Sequence, residues 1–90
     1  MDQFMMIVTS PENHKKLDQY KSISQKLGNP EGITEEQAKA LANEGKAVVW
    51  IDGGLHSTET VATHQLIATA YKLLTATDAE TTRILDNVII

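Results

Sequence analysis

The chain has no cysteine. Disulfides and thiolate metal sites are therefore excluded, and cysteine usage says nothing of the redox compartment. Aromatic residues are scarce: Phe4, Tyr20, Trp50 and Tyr71 are the full set, so aliphatic side chains must do most of the packing. Basic charge is scarce as well. Eight Lys and Arg face twelve Asp and Glu, a formal net charge of −4. The one adjacent basic pair, Lys15–Lys16, reads as a solvated helix face. Without a basic stripe, the composition argues against nucleic acid as the main partner. No apolar run approaches the ~20 residues that span a bilayer, so no membrane partner is expected. The start also lacks the charged-then-apolar order of a secretory leader.

Ninety residues allow one small domain, which buries only about 60–65% of its unfolded surface. Both ends read as parts of something longer. "FMMIVTS" is strand-like almost from the first residue, and "ILDNVII" stops inside an apolar run. The expectation is a piece of a larger protein with exposed sheet edges, above all Val88–Ile90, which would favour self-association or domain swapping.

Along the chain, strands are predicted at 4–9, 47–52 and 88–90, and helices at 11–27, 35–44, 57–75 and 79–86. The run from Phe4 to Thr9 has the continuous apolarity of a strand buried on both faces. Ser10 is a good N-cap, Pro11 suits the first helical position and Glu12 suits the positive helix end. Leu17, Tyr20, Ile23 and Leu27 then recur at spacings of three and four, and Gly28 reads as the closing C′ residue. Thr34 with Gln37 forms a capping box for a short surface helix ending near Gly45. "AVVWI" is the clearest strand, and Asp52-Gly53-Gly54 turns it. Val61, Ala62, Leu66, Ala70, Leu73 and Leu74 keep a helical period, and Thr77 or Asp78 caps the next helix. Strands alternating with helices indicate an α/β sandwich with a largely buried sheet.

The chemistry concentrates in "GGLHSTET". Ligands in open α/β sheets gather at the carboxyl ends of strands, where helix N-termini add positive field. His56 and Glu59 fall there, and side chains three apart across a helix start are close enough to converge on one ion. Zinc accepts imidazole nitrogen at ~2.0–2.1 Å and carboxylate oxygen at ~2.0–2.2 Å. The two glycines let the backbone turn beside the site without obstruction. The plainer reading is a loop hydrogen bond for His56 and a helix-dipole role for Glu59; spacing alone does not exclude it. Asp52 is either a turn residue or a carboxylate orienting His56 from behind. His64, about 140° round a helix from Glu59, is expected to face away. His14 has no paired carboxylate and reads as a surface residue.

"VVWIDGGLHSTETVA" resembles the zinc-binding segment of the zinc carboxypeptidases, in which a strand ends in Gly-(Ile/Leu)-His-(Ser/Ala)-x-Glu before a helix. "VTSPENHKKLDQY" and "GITEEQAKALANEGKAVVWIDGGLHSTE" resemble the front of the catalytic domain in bacterial members. "ETTRILDNVII" resembles the strand that leads there to a Pro-Ser-x-Asn-Pro-Asp-Gly stretch. The resemblance covers nearly all ninety residues but only a fraction of a catalytic domain. It implies a three-layer α/β/α sandwich with a mostly buried mixed sheet, and a Zn²⁺ held by His56, Glu59 and a distant histidine. It also implies hydrolysis at the C-termini of peptides or proteins, and a secreted or periplasmic setting. Thr58 stands where some members carry Arg between the ligands. No segment matches the family's general-base glutamate, carboxylate-binding arginine or late tyrosine, so the isolated chain is expected to be inactive. Two other readings remain at this stage. Amidohydrolases of the aspartoacylase and succinylglutamate-desuccinylase type use a similar motif but carry glycine where this chain has Ser57. A non-enzymatic α/β domain would make the motif accidental.

Overall fold

In the computed structural model, which describes residues 4–90, the N-terminal run enters the fold at Val8. The Val8 N–H donates to the Ile90 carbonyl at 2.8 Å, and the Ile90 N–H returns the bond at 3.0 Å. Ser10 then caps helix α1 (Pro11–His14), its Oγ accepting from the Asn13 N–H, with Pro11 opening the helix. The helix predicted over 11–27 is two pieces. Its second part, α2, spans Leu17–Gly28, and the Lys16 N–H bonds back to the Asn13 carbonyl at 3.0 Å in the tight turn between them. That break lets Asn13 stay buried while α2 aims its stripe at the core. Gly28 is the last helical residue, not the C′ residue; Asn29 is the C-cap.

Helix α3 (Glu35–Glu44) has both bonds of its capping box: Gln37 N–H to Thr34 Oγ1 at 3.2 Å, and Thr34 N–H to Gln37 Oε1 at 2.9 Å. Strand β1 (Ala47–Val48) follows, then helix α4 (Thr60–Thr75), helix α5 (Ala79–Asn87) and strand β2 (Val88–Ile89). The two strands pair in parallel, Ala47 with Val88 and Val48 with Ile89, and the α4–α5 segment is the crossover such pairing requires. Just past β2, Val8 bonds Ile90 on the other side, so the edge anticipated at Val88–Ile90 is covered at its last residue. The core is small: Tyr20, Ile23 and Ile89, with Leu17, Leu27 and Leu41 packed against them. It therefore uses the whole α2 stripe.

The sheet is not buried along its predicted length. Val8 is buried, but Phe4, Met5, Met6 and Ile7 are exposed, as are Val48, Val49, Trp50 and Ile51. Apolar runs announce what can be buried; they do not supply the neighbour that buries it. Helix α4 likewise buries none of its residues.

The last helix is held at both ends by unlike devices. At its start the Asp78 carboxylate accepts from the Thr81 N–H at 2.9 Å and the Thr81 hydroxyl at 2.7 Å. At its end no glycine or basic residue follows; the orphan carbonyls are met from 70 residues away. The Leu85 carbonyl accepts from the Ser10 N–H, the Thr9 hydroxyl and the Asn13 amide. The Asp86 carbonyl accepts from the same amide at 3.1 Å.

The backbone bond from Thr81, and then its hydroxyl bond, hold the Asp78 carboxyl below its ordinary value of 3.8. The fold thus favours the charged form. Its stabilisation is complete above the ordinary carboxylate range and is lost as pH falls through and below it. Thermal unfolding followed from neutral pH down to acid is expected to lose stability more steeply in the parent chain than in Asp78→Asn. Parallel curves would contradict this assignment.

Candidate metal centre

Past Val48 the chain runs outward through Val49–Asp52 and turns at two glycines with different duties. A Cβ on Gly53 would stand 3.0 Å from Leu66 Cδ1, 3.1 Å from the Ala62 carbonyl oxygen and 3.3 Å from its carbon. The backbone of α4 is pressed against this point. Gly54 has φ +80, the left-handed region that side chains resist. Together they bring Leu55–Glu59 back over the first turn of α4.

That loop closes on itself through the Glu59 N–H, which donates to the His56 carbonyl at 3.0 Å. Glu59 occupies the N-cap position of α4, with φ −95 and ψ 78, yet its side chain makes no capping bond. Its carboxylate instead faces His56: Nδ1 lies 3.0 Å from Oε2. Both side chains are well exposed, at 74% and 62%. An exposed pair of this kind contributes little to stability, so structural benefit is a weak reason for the arrangement.

The two donors, an imidazole nitrogen and a carboxylate oxygen, are of the types zinc accepts, and they are two of the three or more that a site needs. Two ligand atoms at zinc bond lengths and a tetrahedral angle stand about 3.4 Å apart. A few tenths of an ångström of side-chain movement would open the 3.0 Å contact to that span. His56 would bind through Nδ1, the nitrogen already turned toward Glu59. Among the described residues, no group of three His, Cys, Asp or Glu side chains could hold a metal ion.

The other residues singled out from the sequence lie differently. Asp52 is not brought to His56; its Oδ2 accepts from the Trp50 indole N–H at 3.2 Å. His14 is exposed at the end of α1. His64, expected to face away, lines the same shallow depression of about 220 Å³ as His56, Glu59 and Thr63. An angle of about 140° between them holds only where Glu59 is helical, and its backbone is not. Even so, His64 Nδ1 lies 3.1 Å from the Thr60 carbonyl, engaged with its own helix. The sequence marks Gly53 as a turn residue; its packing against Ala62 has no local signal.

An imidazole and a carboxylate thus meet at the start of α4, in the loop that follows β1. The family model for zinc carboxypeptidase matches residues 4–90, and the chain belongs to that family. No curated protein and no solved structure matches it.

Proposed function

We propose that this chain is the front portion of a zinc-dependent carboxypeptidase domain that hydrolyses C-terminal peptide bonds. In this reading the complete domain is a three-layer α/β/α sandwich, and His56 and Glu59 are two of its three protein ligands. The observation that carries the proposal is the 3.0 Å approach of His56 Nδ1 to Glu59 Oε2, by a glutamate that forgoes its own helix cap. Family membership over residues 4–90 supplies the reaction class. Bound zinc would provide a Lewis acid and a water of lowered pKa.

The residues of this chain position that chemistry. Gly53 sets α4 against the strand end, Gly54 turns the loop, and the helix N-terminus adds positive field beside the carboxylate. Catalysis also needs a third ligand, a general base and a grip on the substrate carboxylate. None is assigned within these ninety residues, so the chain by itself should bind zinc weakly and cleave nothing.

Zinc titration monitored by calorimetry tests this. The parent chain is expected to bind one weak equivalent, with protons competing for the imidazole so that affinity falls on acidification. The double substitution His56→Ala, Glu59→Ala should reduce binding to background, while His14→Ala leaves it unchanged. Equal binding by the parent chain and the double variant would overturn the assignment.

A further inference from the structure

We draw no further inference here: the strongest candidate, the apolar groove that Phe4, Met5, Val49, Trp50 and Ile51 line beside helix α4, carries nothing, because nothing in the structure shows what covers it.

Discussion

Replacing Asn13 with leucine is expected to destabilise the chain by about 2–3 kcal/mol, the largest effect anticipated for any side chain outside the apolar core. Asn13 is 5% exposed. Its amide Nδ2 lies 3.0 Å from the Thr9 hydroxyl, 3.0 Å from the Leu85 carbonyl and 3.1 Å from the Asp86 carbonyl. Leucine keeps the branched outline of four side-chain heavy atoms but is bulkier and cannot hydrogen-bond, so the polar contacts are lost and some crowding is added. Leu85 keeps its bonds from Ser10 and Thr9. Asp86 loses the amide that meets a carbonyl at the helix end, and an unsatisfied acceptor of that kind costs about 1–3 kcal/mol. The amide also ties residue 13 to residue 86, and with it the first segment to the last. A 90-residue fold has a total stability of about 5–13 kcal/mol, so this one change should remove a sizeable share of it. The urea midpoint is the readout. A shift corresponding to less than about 0.5 kcal/mol, the usual range of surface changes, would mean that the amide is dispensable.

The second large effect concerns a residue with no side chain. Gly53→Val places branched carbon against the Ala62 carbonyl, with its Cβ 3.1 Å from the oxygen. The Leu66 methyl can rotate away, but the α4 backbone cannot. Overpacking of this kind costs about 1–3 kcal/mol, and relief comes by lifting α4 from the strand end. Glu59 begins that helix and His56 does not, so their approach should loosen and zinc affinity should fall although neither ligand has been changed. Gly28→Ala is the control: a Cβ there meets nothing within 4 Å and its φ is not positive. It should be neutral or slightly stabilising, as Gly→Ala in helices tends to be. Unchanged zinc affinity in Gly53→Val would separate the helix position from the site.

What the sequence made legible was local. The α2 stripe is a repeat at helical spacing, and all four of its residues reached the core cluster. The α3 capping box is four residues long and formed with both bonds. His56 and Glu59 are three apart, and a turn between them needs no distant partner. What stayed hidden was tertiary. Asn13 reads as an ordinary first-turn residue, because the carbonyls it serves lie more than 70 positions away. The apolar runs at 4–9 and 47–52 promised a largely buried sheet, yet most of their residues are exposed. Their covering is not encoded in the runs themselves. His64 was misplaced for a smaller reason, an angle counted from Glu59 as though the helix had already begun there.

The central claim is that His56 and Glu59 are zinc ligands, with His56 binding through Nδ1. Nitrogen-15 NMR of the three histidines during zinc addition tests it most directly. The account predicts that Nδ1 of His56 alone changes to a metal-bound shift, and that Glu59→Gln weakens this response. His14 and His64 should keep their original resonances. If zinc moves His14 or His64 first, or all three in proportion, the pair at the strand end is not a metal site.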